Sequence, residues 1–492
     1  MNQTTWDKLA PYFDQMKEYF HLGSLLNYDI QTNCPPKAIE DEAKLLEKTA
    51  TLGAALQKDP QFIALVKAAA SDPSLTPIQK KVVREQLRSI ELLEKMSLEE
   101  FAKWTAIKSK SNEMWRKYRP LNDFKSWLPY WEEVIAGYQK VLSLQRKPEH
   151  KTLYDVCLDN FEPGESEALL DLVFGPLKDY LTKKLREVLA KQNKMPNPKI
   201  LPYDIDKQRK LSLALLKAID YDMEQGCLRE SPHPFSDWCG RYDSRVTTKF
   251  LVEDWRSNAF TCLHEGGHCL EFQNWSEEEF MNYGDGLCTS AICETHSRFY
   301  ENVIGRSKEF APIFKAECTK ALGSEFARLS DEEFLFLINK VEPGLIRCEA
   351  DELTYSLHII IRYEIERDLV NGKIRCRDVP ALWNKKYRDY LGVEVLSDKD
   401  GCMQDVHWTD AEIGYFPSYA LGNIYGAQIL STMKKEIDFE GLIKANKLHE
   451  IKMWFAHKDY CYDWMDPTSW ILKVTGEKMN PQYYIDYLEG KF

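Results

Sequence analysis

The residues best placed to do chemistry are His264, Glu265 and His268. They stand in Thr261-Cys262-Leu263-His264-Glu265-Gly266-Gly267-His268-Cys269-Leu270. On a helix, positions i and i+4 lie one above the other on the same face. Two imidazoles at that spacing can bind one metal ion. A glutamate one residue round from the first can reach a water on that ion without being a ligand. Zinc peptidases need this combination of two fixed ligands and a general base.

A catalytic zinc takes three protein ligands and keeps one position open. One peptidase class supplies a third His from His-Glu-x-x-His-x-x-Gly-x-x-His. Here those later positions hold Glu271 and Asn274, so that class is excluded. The remaining source is a glutamate. Glu271 is too close in sequence to turn back to the same ion. Glu277, Glu278 and Glu279 read as a solvated charge run. Glu294 stands alone after the weakly polar run 287–293, and a buried carboxylate needs a partner such as a cation. Glu294 is the first choice. Glu301 is the second, or else a residue that orients one of the histidines.

Peptide hydrolysis also needs a donor for the oxyanion. His407 and Tyr415 occupy loop sequences and carry suitable groups, and Asp405 is placed to orient His407. Trimming from the C-terminus needs a fixed cation for the free carboxylate, a task that suits the fork of arginine. Arg347 fills that role, with Asp351 as the neighbour expected to hold it.

These residues must be positioned by helices. The metal motif is flanked by Phe260, Leu263, Leu270 and Phe272, which marks a buried helix. Gly266 and Gly267 together cost that helix about 2 kcal/mol relative to alanine, so close packing is expected there. Residues 4–28 carry Trp6, Leu9, Phe13, Met16 and Phe20 at helical spacing. Thr76-Pro77 and Ser97-x-x-Glu100 read as helix starts. Strands are expected only at 200–203 and 244–250, the second leading into the metal helix. Lys194-Met195-Pro196-Asn197-Pro198 reads as a surface connection. It divides an N-terminal helical region, 1–195, which covers the groove, from a catalytic region, 196–492, within one integrated unit.

Composition sets the remaining bounds. A chain of 492 residues with 44% hydrophobic content can bury a large core. A net charge of -12 without long basic blocks argues against nucleic acid or an anionic membrane as partner. No secretory signal or spanning segment is visible. Thirteen scattered cysteines without a Cys-x-x-Cys pair point to a reducing, cytoplasmic setting.

Taken together, these stretches resemble the M32 family of metallocarboxypeptidases, the carboxypeptidase Taq type. The resemblance rests on five ordered motifs: His233-Pro234-Phe235; Asp243-x-Arg245-x-Thr247; His264 to His268; Ile346 to Asp351; and Gly401 to Trp408. It implies a mainly α gluzincin-type fold with a deep central groove and a small antiparallel sheet. It implies release of single C-terminal amino acids from peptides, one zinc or cobalt ion per chain, and a homodimer. Metal ligation by His264, His268 and Glu294 is expected, with Glu265, His407 and Tyr415 catalytic. Arg347, Arg245 and His233 are expected to bind substrate. The alternatives are a related oligopeptidase that cuts internally, or a helical binding protein with a dead motif. One motif departs from the family pattern. The family has His-Glu-Ser/Gly-Gln around the third ligand, whereas this chain has Cys293-Glu294-Thr295-His296.

Overall fold

Helix starts in this chain are written in side chains that accept the otherwise unpaired first N–H groups. Thr4, Thr76, Ser97 and Thr152 each close a capping box, opening helices Thr5–Thr32, Pro77–Lys95, Leu98–Tyr118 and Leu153–Phe161. Asp123 and Ser166 cap Phe124–Gln145 and Glu167–Gln192. The computed structural model describes residues 4–194, 198–284 and 286–492. Met195, Pro196 and Asn197 of the expected surface connection, and so the division at 195/196, lie outside the described residues.

The described residues form two hydrophobic cores. The smaller gathers Leu9, Phe13, Phe62, Val66, Ile78 and Val82 from the N-terminal helices. The larger runs from Met114 to Leu488, and it includes Trp127 and Trp131 as well as the apolar side of the metal helix. Among the described residues, no helix is long and apolar enough to cross a membrane.

Among the described residues, three short strands form one sheet: β1 (Leu228–Glu230), β2 (Ser236–Gly240) and β3 (Asp243–Thr248). Their order is β1-β3-β2. β2 runs antiparallel to β3, but β1 runs parallel to it, so the sheet is mixed and not wholly antiparallel. The reason is connectivity. The chain reverses once through 231–235 and again at Arg241-Tyr242, which returns β3 to the direction of β1. The strand expected at 200–203 does not form. Pro202 has no N–H to donate, and Asp204 caps the helix Ile205–Ala218 immediately afterwards. A single backbone bond, Tyr203 N–H to the Val252 carbonyl at 2.9 Å, marks the approach.

The metal motif lies on helix Trp255–Gln273, which follows β3 and is capped by Asp254. Glu294 lies on helix Ser290–Arg298. The two helices touch through a glycine. A Cβ on Gly267 would come within 2.8 Å of Ser297 Cα and 2.9 Å of the His296 carbonyl oxygen, both backbone atoms. From helix Phe416–Glu436, a Cβ on Gly422 would sit 2.9 Å from Glu294 Cβ. Two other helices therefore each approach helix Ser290–Arg298 through a glycine, at a separation no larger residue permits. The cost of glycine in the metal helix is matched by this contact, as the sequence led us to expect.

Candidate active site

The imidazoles of His264 and His268 and the carboxylate of Glu294 each offer one donor atom, and all three atoms lie within 4.8 Å of one another. His264 Nε2 and Glu294 Oε2 are 3.6 Å apart. Donors bonded at the usual 2.0–2.2 Å to one tetrahedral ion stand about 3.4 Å apart, so the set fits a divalent cation of zinc's size. Glu294 arrives from a different helix, and Ser297 Oγ donates to its Oε2 at 3.0 Å. Glu265, on the metal helix and 8% exposed, is not one of the three converging donors.

Glu301 takes the orienting role offered as its second possibility. Its Oε2 lies 3.0 Å from His264 Nδ1. That bond fixes the ring and leaves Nε2 turned toward Glu294. Glu301 sits on a π-helical turn, Phe299–Ile304, where one extra residue per turn re-aims the side chain. Although burial opposes ionisation, the Arg298 guanidinium and His264 hold its carboxyl well below the ordinary glutamate range. Glu301→Gln keeps the shape but removes the charge. It is expected to weaken metal binding about 10–100-fold, read by competition against a fluorescent chelator. An unchanged affinity would remove Glu301 from the site.

Arg298 is a residue that sequence reasoning missed. Its Nη1 donates to Glu301 at 3.1 Å, its Nε lies 3.8 Å from Glu294, and its guanidinium covers the Tyr355 ring at 3.9 Å. The signal was present as an arginine four residues after one candidate ligand and three before another.

Tyr355 continues the chain of contacts to Arg347, whose Nη1 donates to the Tyr355 hydroxyl at 3.2 Å. The partner of Arg347 is not Asp351, as expected, but Asp405, at 3.0 Å from Nε. Asp351 instead caps helix Glu352–Val370, accepting from Leu353 and Thr354 N–H. An extended cap residue cannot also reach back to Arg347, which lies in the preceding 3-10 turn. Asp405 is likewise committed elsewhere than to His407. It is shared by Arg347 and the fully buried Arg362, whose Nε lies 2.7 Å away. Two guanidiniums outbid burial and keep the Asp405 carboxyl well below its ordinary range.

His407 and Tyr415 meet over one aromatic patch. Their rings are 5.7 Å apart and nearly parallel, and Phe416 lies 4.7 Å from the His407 ring. Arg347 stacks on the same patch, 5.3 Å from Phe416 and 4.9 Å from Tyr419. Burial, with the Arg347 charge, lowers the His407 pKa to about 4, so the ring is neutral at neutral pH. Burial, with the charge of Glu294, pushes the Tyr415 hydroxyl up to about 12, so it keeps its proton. Both are thus neutral hydrogen-bond donors. Their loop is clamped by Glu366, which accepts from Trp408 Nε1 at 2.7 Å and Gly414 N–H at 3.0 Å. Glu366 was also missed: it stands among Arg362, Glu364, Arg367 and Asp368, so nothing in the local sequence marks it out from a solvated charge run.

Arg245 and His233 belong to the sheet. Arg245 makes both bonds of a fork to Asp243, at 2.7 and 2.6 Å, and lies over the Tyr28 ring of the first helix. His233 is exposed in the β1–β2 loop, which Thr247 Oγ1 braces through Phe235 N–H at 2.8 Å. Neither residue takes part in the Arg347–Asp405 cluster described above.

The unusual His296 faces away from the metal donors. It is fully buried between Glu271 and Asp459, 2.7 Å from each. Burial opposes its charge, but the two carboxylates push its pKa to about 10. Glu271 extends from the metal helix, so this ion pair ties that helix to the one carrying Glu294. The charge run at 277–279 is only partly solvated, because Glu279 is buried.

The geometry fits a hydrolytic metal centre on a helical scaffold, and comparison with known proteins identifies the kind. The family model of the carboxypeptidase Taq (M32) metallopeptidases matches residues 8–492. Carboxypeptidase 1 of Bacillus subtilis is 35% identical over 489 residues, covering 98% of this chain and 97% of that protein. Thermostable carboxypeptidase 1 of Thermus thermophilus is 33% identical, covering 96% and 95%. The crystal structure of the M32 carboxypeptidase from Deinococcus radiodurans superposes with a TM-score of 0.94 at 28% identity, covering 99% of each chain. The chain belongs to the M32 family of metallocarboxypeptidases. It is a metal-dependent carboxypeptidase, a peptide hydrolase.

Proposed function

We propose that the chain releases single amino acids from the free C-terminus of peptides, using one zinc ion held by His264, His268 and Glu294. The observation that carries this reading is the convergence of those three donors beside Glu265. When bound, the cation would supply Lewis acidity, making water a nucleophile at neutral pH and polarising the carbonyl. Glu265 takes the proton from the attacking water and later delivers it to the leaving amine. The neutral N–H of His407 and the hydroxyl of Tyr415 donate to the oxygen that gains charge. Arg347 receives the substrate's terminal carboxylate. Its Nε and Nη1 are engaged by Asp405 and Tyr355, which fixes the guanidinium plane and aims Nη2. Arg245 and His233 line the substrate approach on the sheet side. The first helix lies against that sheet through Tyr28, in keeping with residues 1–195 covering the groove and 196–492 carrying the catalysis.

We also propose a cytoplasmic homodimer. The thirteen free cysteines, with Cys348 exposed, suit a reducing compartment. The dimer is carried by the family resemblance alone.

A C-terminally amidated peptide tests the reading. Loss of one charge-assisted contact to Arg347 is expected to lower kcat/KM about 10–100-fold relative to the free acid, measured by mass spectrometry of the products. An unchanged rate with internal fragments would identify an oligopeptidase instead.

A further inference from the structure

Beside the metal donors lies a pair of thiols that the hydrolytic reaction does not use. Cys288 precedes helix Ser290–Arg298, and Cys293 lies within it, directly before Glu294. Their sulfurs are 2.8 Å apart, and both residues are half-buried. Cys293 also donates to Glu271 Oε1 at 3.5 Å.

Two sulfurs with a carboxylate suggest either a second cation site or a disulfide. The distance decides between them. Thiolates bound at about 2.3 Å to one tetrahedral zinc stand about 3.8 Å apart, so a cation would have to push these sulfurs away from each other. A disulfide needs them only about 0.8 Å closer than they are. Glu271 is moreover already paired with His296 at 2.7 Å.

We propose that Cys288 and Cys293 are the site of a reversible disulfide that acts as a redox switch on the metal centre, with peroxide as the oxidant class. One thiol attacks the peroxide O–O bond, giving a sulfenic acid and water. The second thiol displaces that hydroxyl as another water, forming the S–S bond. The pair loses two protons and two electrons, and the peroxide takes them up to become two waters. The bond clips the segment before the helix to the residue adjoining Glu294. Cys293 adjoins Glu294 in the same helix, so the bond shifts the carboxylate that completes the donor set. Burial disfavours the thiolate form of Cys288, which slows the first step. A dithiol reductant restores the free pair.

The test treats the metal-loaded enzyme with excess hydrogen peroxide, then denatures and alkylates it. The expected result is a peptide spanning Cys262 to Cys293 that carries two alkyl groups where the untreated protein carries four, and that is lighter by about a further 2 Da for the two hydrogens lost to the S–S bond. Tandem spectra should show Cys288 and Cys293 protected while Cys262 and Cys269 are alkylated. In parallel, kcat/KM should fall about tenfold and recover with dithiothreitol. Cys288→Ser, and Cys288→Ala as a second variant, should keep the reduced enzyme's kcat/KM and lose the response. Full alkylation of Cys288 and Cys293 after treatment would overturn the proposal. So would a linked pair with unchanged kcat/KM. The activity arm rests on the peptidase reading above, whereas the mass arm does not, so the failure of either idea is seen separately.

Discussion

Glu265→Gln is expected to keep a full equivalent of metal and to lower kcat about 10³-fold. Glu265 shares a helix with His264 and His268 but is not one of the three donors that converge within 4.8 Å. Glutamine has the same shape and can still accept a hydrogen bond, so the buried surroundings survive the change. Glutamine cannot take up a proton. Removing a positioned base from a hydrolytic step raises its barrier by several kcal/mol, and about 4 kcal/mol corresponds to the stated factor. The next residue, Gly266, faces Leu216 and Ile219, whose methyl groups would lie 2.8 Å from an added Cβ. That contact holds the helix independently of the charge on Glu265. Metal content by plasma mass spectrometry and single-turnover release of a C-terminal residue give the two readouts. A variant with full metal and more than a tenth of the parent rate would remove Glu265 from the proton transfer.

What the sequence disclosed follows from how far apart the interacting residues lie along the chain. The His264/His268 pair was legible because helical periodicity alone brings the two rings together. Glu294 was legible because an isolated carboxylate in an apolar run must find a compensating charge, and Glu301 because it stands two helical turns further along the same stretch. Helix starts at Thr76 and Ser97 were legible because capping is local. Partner choice was not. Arg347 has Asp351 four residues away, yet it pairs with Asp405, 58 positions on, because Asp351 is needed as a helix cap. His296 looked like an intruder in the metal region until Asp459, 163 positions later, was seen to share it with Glu271. The false strand at 200–203 shows the reverse error. Its residues are β-prone singly, but Pro202 and the Asp204 cap leave no ladder to join. The direction of β1 depended on counting chain reversals, which no propensity reports.

Glu294→Ala is expected to abolish stoichiometric metal while leaving the fold in place, and so to reduce kcat/KM at least about 10³-fold. Two imidazoles from one helix remain, but the donor that closes the set from the second helix is gone. The second helix keeps its place for other reasons. Gly267 and Gly422 let two helices pack closely against its backbone, and the buried His296–Glu271 pair ties it to the metal helix. Folding and metal binding can therefore be read apart by melting curves. A ligand that binds only the folded state stabilises it by about 4 kcal/mol when present at a thousand times its Kd. Wild-type protein stripped with chelator should gain several degrees when zinc is returned. The variant should melt near the stripped wild type and gain almost nothing. Arg298 gives the experiment a further edge. It lies 3.8 Å from Glu294 but also bonds Glu301, so loss of Glu294 does not leave it buried without a counter-charge. A large drop in melting temperature before any metal is added would mean that Glu294 is chiefly structural. Retention of one tightly held ion together with activity would mean that the third ligand is some other residue.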